Sequence, residues 1–385
     1  MRSALNDLAV VAPQWLREHS QAEWIERYGP RVEEYRLPTG QAKRQAYAEL
    51  MGADGWMLLQ AIIAADAPLW LRQIPSVELL RQVWLQQFYR EDKTLHWRTE
   101  KLGLPPSTSS ISSPYDGEAH HSKKRSTAWM GYKVHLSETC DEQSPHLITH
   151  VETTTAPVVD GECTPIIHAA LQKKNLLPSV HLVDSGYVYA QWLLSSQSDY
   201  GVNLLGPTRA DYHWQARSAE GFAARDFVVD WETQQVTCPQ GRTSHSWTPS
   251  TNKHQSEVIK IQFSQQVCGQ CASRPQCTRG RRRSLQIQPQ AHQQALQTAR
   301  ERETTADYAA QYRKRAGIEG TISQGVRVFG LRRARYVGLA KTRLQHILTA
   351  TALNFVRLGY WLQGRPLART RQSPFTRLMA ASAVA

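Results

Sequence analysis

His181-Leu182-Val183-Asp184-Ser185-Gly186-Tyr187 is the stretch on which the fold turns. Its first three residues read as a short buried strand, an acid follows soon after, and Gly186 permits a sharp turn. In open α/β sheets, functional side chains sit just past the carboxyl ends of strands. Asp184 therefore stands where a catalytic carboxylate is expected. The competing reading is a helix N-cap, a position that Asp and Ser both favour.

Outward from this stretch, the pattern alternates between strand and helix. Residues 131–136 and 146–154 alternate polar and apolar side chains, predicting an antiparallel pair. Residues 162–174 and 188–197 read as helices and 202–205 as a further strand. Strands alternating with helices imply an α/β sheet over 105–206. Upstream, 1–104 read as helical: Trp15, Leu16, Trp24 and Ile25 recur at helical spacing, as do Leu79, Leu80, Val83, Trp84 and Phe88. Gly29-Pro30, Pro38-Thr39-Gly40 and Pro68 break these helices, and no strand is expected before residue 100. The linker Pro105-Pro106-Ser107-Thr108-Ser109-Ser110 closes the region. Downstream come a polar, Gln-rich, Cys-bearing insertion (207–300), a helical segment (301–363) and a basic tail (364–385).

The 385 residues carry a formal charge of +13, with 41% hydrophobic and 21% charged side chains. A core can be buried, and a polyanionic partner is the first expectation. No run of about 18 apolar residues predicts a membrane span, and Met1-Arg2-Ser3-Ala4 does not open a signal peptide. A cytoplasmic location is expected, where the six cysteines act as thiols or metal ligands rather than disulfides. Cys238 together with Cys268-x2-Cys271-x5-Cys277 fits a tetrahedral structural Zn²⁺ site, against a set of ordinary thiols. Arg274, Arg279, Arg281, Arg282 and Arg283 give the same insertion a candidate DNA contact. Cys140 and Cys163 read as structural, and His120-His121, beside Lys123, Lys124 and Arg125, as part of a basic loop.

From Tyr312 onward there are fourteen Lys and Arg and one acid, Glu319. Tyr312, Arg315 and Glu319 are spaced to share one helical face. The bland account pairs Arg315 with Glu319 at i,i+4 for a few tenths of a kcal/mol. Gly317, Gly320 and Gly325 each cost a helix about 1 kcal/mol against Ala, which suggests that another backbone, such as DNA, approaches closely. Carboxylates from two elements meeting at one point suit Mg²⁺ or Mn²⁺, and such ions drive in-line phosphodiester displacement. Tyr312, Arg315, Arg327, Arg332, Arg333, Arg335, Lys341 and Arg343 are candidate DNA contacts, the basic residues from Arg327 onward holding phosphates. The alternative for them, a solvated charged face, lacks negative partners.

Tyr312-x2-Arg315-x3-Glu319 followed by Arg327 resembles the Tyr-Arg-Glu-Lys signature of the DDE transposases of bacterial insertion sequences. The basic residue comes one position later than in that signature. Gly131-Tyr132-Lys133-Val134-His135-Leu136, Val183-Asp184-Ser185-Gly186-Tyr187, Ile318-Glu319-Gly320-Thr321, Gly330-Leu331-Arg332-Arg333-Ala334-Arg335-Tyr336 and Leu339-Ala340-Lys341-Thr342 are similar too, in the same order. The resemblance implies a ribonuclease-H-like α/β core with an all-α N-terminal region and a Cys-bearing insertion. It makes Asp184 the second and Glu319 the third acid of an Asp-Asp-Glu triad, with Mg²⁺ or Mn²⁺ as cofactor. The implied partner is double-stranded DNA, both terminal inverted repeats and target, bound by a homodimer in the synaptic complex.

The triad's first Asp is missing. No apolar strand leads into Asp7, Asp54, Asp66 or Asp92; Asp116, in Pro114-Tyr115-Asp116-Gly117, is the nearest candidate to complete the triad, though it reads as a turn residue. The expectation is a transposase truncated at its N-terminus, without strand one and its Asp, that cleaves DNA little or not at all. The alternatives are a catalytically inactive DNA-binding remnant and a zinc-stabilised nucleic-acid-binding or nuclease module unrelated to transposition.

Overall fold

Two glycines on the helix Gln41–Ile63 let the helix Pro75–Gln87 lie close against it. A Cβ on Gly55 would meet the Trp84 ring at 2.2 Å, and one on Gly52 the Phe88 ring at 2.4 Å. In the computed structural model, which describes all residues except 31–36, 93, 99–102, 125, 253–255, 366–373 and 376–385, these helices enclose a core with the helix Arg2–Val11. Leu8, Leu58, Ile62, Leu71, Leu80 and Trp84 fill that core. Asp54 is buried beside it, accepting from Arg27 Nε at 2.8 Å and from the Tyr28 hydroxyl at 2.7 Å. Trp84 Nε1 donates to the Gly52 carbonyl at 2.8 Å, so the indole is satisfied where it is buried.

The helical reading of 1–104 needs a correction at its end. Strands β1 (Phe88–Glu91) and β2 (Thr94–Trp97) form an antiparallel hairpin. Phe88 pairs with Trp97 and Tyr89 with His96, and such aromatic cross-strand pairs favour a sheet over a helix. Phe88 kept its helical spacing because its ring still packs on Trp84, 5.3 Å between centroids.

Next come β3 (His120–Lys124), β4 (Thr127–Glu138) and β5 (Ile148–Thr155), with β4 in the middle of a three-stranded sheet. β3 runs antiparallel to β4, from His120 opposite Gly131 to Lys124 opposite Thr127. His120 and His121 thus belong to a strand rather than a loop. One ring nitrogen of His120 lies 2.8 Å from the Ser110 carbonyl, and Arg125 falls outside the described residues.

β6 (Val180–Leu182) and β7 (Asn203–Leu205) pair in parallel, the arrangement expected when a helix connects two strands. The helix Ala190–Tyr200 is that connection and ends on Gly201 at φ +66°, a left-handed position that suits glycine. Val183, Val188 and Leu204 form the small core beneath it.

The insertion contains strands that its polar, Gln-rich composition hides. β8 (Val228–Asp230) and β9 (Gln235–Thr237) make a hairpin. β10 (Ser246–Thr251), β11 (Glu257–Gln262) and β12 (Ser284–Ile287) make an antiparallel sheet. Phe227, Val236, Ile261, Phe263, Leu285 and Ile287 give this region a core of its own. Helices Gln290–Glu303, Ala306–Tyr312, Ala316–Phe329 and Leu339–Leu362 follow. Of the basic tail, only 364, 365, 374 and 375 are described.

The chain is thus of mixed α/β class, its described strands gathered in five small sheets. It divides into two compact units: 1–135 with 151–158 and 330–349, and 136–150 with 159–329 and 350–385.

Candidate functional site

Asp184 lies two residues beyond β6, and the helix that follows begins only at Ala190. It therefore does not cap that helix. Its Oδ1 accepts from the Gly186 amide at 2.7 Å, closing a tight turn, and the side chain remains over one-third exposed. Gly186 is needed there: a Cβ would stand 2.8 Å from Asp184 Oδ1 and 3.2 Å from Asp160 Oδ2. A second carboxylate thus comes up to the same turn. Asp160 follows β5 in Val158-Val159-Asp160-Gly161, and Gly161 lets the two loops close, since a Cβ there would meet the Tyr189 ring at 2.2 Å. Tyr187 feels both acids. Burial, then the charges of Asp160, Cys163 and Asp184, push its phenol above its usual range, with Arg315 opposing.

Glu319 reaches this place through Arg315. The guanidinium stands 3.9 Å from Asp184 Oδ2 and 3.3 Å from Glu319 Oε1, so one cation spans carboxylates 135 positions apart in sequence. Tyr312 completes the group. Burial raises its phenol, Arg315 opposes, and Asp184 and Glu319 raise it further. Its ring stacks on Tyr308, 5.5 Å away. The structure brings together Asp184, Tyr312, Arg315 and Glu319, and adds Asp160. Arg315 faces these carboxylates and is only 23% exposed.

The opposite face of the Glu319 helix is anchored. Thr321, fully buried, donates to Glu138 Oε2 at the end of β4, and Arg357 Nη1 donates to the same oxygen at 2.9 Å and to the His146 carbonyl at 2.7 Å. Gly317, Thr321 and Gly325 are spaced four apart along one face, and a Cβ on Gly317 would come 3.5 Å from Glu138 Oε1. That distance is ordinary van der Waals contact, so packing within the chain does not require glycine at 317. Gly320 has open space around it, so no contact explains it.

Asp116 is fully engaged. Both carboxylate oxygens lie within reach of the Tyr132 hydroxyl, at 2.9 and 2.8 Å, and Oδ2 also accepts from the Gly338 amide at 3.1 Å. Arg327, Arg332, Arg333, Arg335, Lys341 and Arg343 are all exposed. Arg343 alone of these makes an ion pair among the described residues, with Glu152 at 3.4 Å.

In the insertion, Cys238, Cys268, Cys271 and Cys277 line one cavity of about 440 Å³. Burial raises the Cys277 thiol; Arg283 opposes, and the other three cysteines add to the rise. Among the described residues no three His, Cys, Asp or Glu side chains already form a metal-binding set. The arginine cluster divides. Arg283 is buried at 8% exposure and cannot face DNA, Arg274 Nη2 donates to the Gly280 carbonyl, and Arg279 lies over the Trp214 ring. Arg281 remains exposed and Arg282 half-buried.

Sequence reasoning missed Asp160. The available signal was Val158-Val159-Asp160-Gly161, an apolar pair ending in acid and glycine like the stretch around Asp184. No helix among the described residues is long and apolar enough to cross a membrane.

Residues 237–359 match the family model described as Transposase DDE domain. The matched stretch takes in the four cysteines of the insertion, Tyr312, Arg315 and Glu319, and lies downstream of Asp160 and Asp184. No curated protein and no solved structure gives a significant match.

Proposed function

We propose that the chain is a DDE transposase of an insertion sequence. On this reading it binds terminal inverted repeats and target DNA, and its carboxylates serve metal-dependent phosphodiester cleavage and strand transfer. The family match supports the class, with its nucleotidyl-transfer and endonuclease chemistry and DNA as partner. The observation that carries the site is the single guanidinium of Arg315 between Asp184 and Glu319. Residues 105–206 and 301–363 would then form a ribonuclease-H-like core interrupted by 207–300, acting as a homodimer in the cytoplasm.

The donor set fits a hard divalent cation: Asp184 and Glu319, with Asp160 at the same turn, offer only carboxylate oxygens. When bound, Mg²⁺ or Mn²⁺ would supply charge stabilisation to a phosphodiester displacement. The protein's own part is positional. Gly186 fixes Asp184, the Glu138–Arg357–Thr321 anchor fixes the Glu319 helix, and Arg315 offsets the repulsion between the acids. Arg327, Arg332, Arg333, Arg335, Lys341 and Arg343 are the proposed phosphate contacts.

The test is nicking and joining of labelled terminal-repeat DNA by the purified chain in Mg²⁺ or Mn²⁺. Glu319→Gln and Asp184→Asn should each lower the rate by at least about a hundredfold while leaving DNA affinity within about twofold, as removal of a charge-stabilising group does. Asp160→Asn should fall with them if it supplies the acid that Asp116 does not. The engagement of Asp116 favours a second reading, a catalytically inactive DNA-binding remnant. Tight repeat binding without cleavage by the unaltered chain would select that reading.

A further inference from the structure

Cys238 sits in a turn of defined hydrogen bonding. In Cys238-Pro239-Gln240-Gly241-Arg242 the Gly241 amide donates to the Cys238 carbonyl at 2.8 Å, Gly241 takes φ +74°, and the Arg242 amide points at Cys238 Sγ at 3.4 Å. An amide aimed at sulfur stabilises a thiolate more than a thiol. Cys268 and Cys271 sit on a second turn, the Cys271 amide donating to the Cys268 carbonyl, and Cys277 ends a third short element. None is in a disulfide, and the four thiols face one cavity.

A second, independent feature of that cavity is its cation. Arg283 lines it at 8% exposure. Its Nη1 donates to the Cys277 carbonyl at 2.9 Å and its Nη2 to the Phe222 carbonyl at 3.3 Å, while its Nε is buried with no hydrogen-bond partner. The Phe227 ring, 5.3 Å from the guanidinium carbon, offsets part of the charge. No carboxylate stands within ion-pair distance of it among the described residues; Asp211 and Asp226 act on it only from further away, and burial outweighs them. Buried charges are normally paired, and four neutral thiols supply no counter-charge.

We propose that Cys238, Cys268, Cys271 and Cys277 bind one structural Zn²⁺, whose tetrathiolate is the counter-anion of Arg283. Binding replaces four S–H bonds with four Zn–S bonds and releases four protons to solvent, leaving a centre of net double negative charge. The sulfurs line the cavity without yet forming a coordination set, so the metal draws in three short turns. Zinc binding at these cysteines requires neither catalysis nor DNA.

Zinc is measured on the full chain, purified without chelator, by elemental mass spectrometry. One equivalent per chain is expected, and Co²⁺ in its place should give intense visible ligand-field bands with near-ultraviolet sulfur-to-cobalt charge transfer. A chain that holds no zinc, or a cobalt spectrum without thiolate charge transfer, overturns the site. Serine variants of the four cysteines should lose the metal. Because these variants can also unfold, Arg283→Met provides a separate reading: chelator competition should show zinc held at least tenfold more weakly. Unchanged affinity in a folded Arg283→Met chain would overturn the role given to the arginine.

Discussion

Arg357 shows how much of this molecule rests on single polar side chains. Its guanidinium reaches Glu138 at 2.9 Å, with side-chain exposures of 18% and 6%, and also meets the Thr321 hydroxyl that fixes the Glu319 helix. Breaking a buried pair strands the remaining charge, at a cost of about 3–5 kcal/mol. Arg357→Met should therefore lower stability by that amount in urea unfolding, and Arg357→Met with Glu138→Leu should cost less than Arg357→Met alone. A loss below about 1 kcal/mol would mean that the pair does not anchor the helix. At this scale the sequence was informative where an acid followed an apolar run, as at Asp184. It was silent on Glu138, Arg357 and Thr321, whose partners lie far apart along the chain.

Among the elements, β6 and the helix Cys163–Lys173 are joined by two histidines. His168, fully buried, lies 2.9 Å from His181 between ring nitrogens, so one donates to the other and both are held neutral. Burial is the largest cause of lowering in both, and His168 adds to the lowering of His181, whose pKa falls to about 4. An unfolded histidine titrates near about 6.5. Above that pH neither state binds the proton and stability is full. As pH falls from about 6.5 toward 4 the unfolded chain gains protons that the fold refuses, and His181 alone should cost up to about 3 kcal/mol. Urea midpoints measured across this range should fall steeply, and His181→Asn should flatten the curve. The strands near this pair were legible because β6 and β7 are apolar runs. β10, β11 and β12 were not, since the buried Val258, Ile261, Leu285 and Ile287 are interspersed with the exposed Thr248, Glu257, Lys260 and Gln286, and only β12 alternates strictly. The β1–β2 hairpin was masked by Phe88, whose ring serves the helical core from the first position of a strand.

Across the whole molecule, the excess of positive charge is concentrated after Tyr312, and Arg332, Arg333 and Arg335 are exposed without ion-pair partners among the described residues. If they contact phosphates, each contributes about 0.9 to the slope of log affinity against log salt. Replacing all three with Ala should lower that slope by about 3 in fluorescence anisotropy on duplex DNA, with little change in Tm. An unchanged slope would assign them to solvent. This basic stretch was readable from composition alone, but the division into two units was not. The first unit gathers 1–135, 151–158 and 330–349, and periodicity carries no information about which distant segments will meet. That interleaving sets an order of events on the ribosome. The helical core that ends near Trp84 can close as soon as it emerges, yet Gly330–Thr349 are made roughly 200 residues after His135. At about 5–20 residues per second, β3 and the first part of β4 wait some 10–40 s for the segment that completes their unit. β3, β4 and β5 can pair as they emerge, but the Gly338 amide that donates to Asp116 and the His346 ring that meets the Thr153 hydroxyl are supplied only after that interval, so the sheet is made well before the segment that closes its unit.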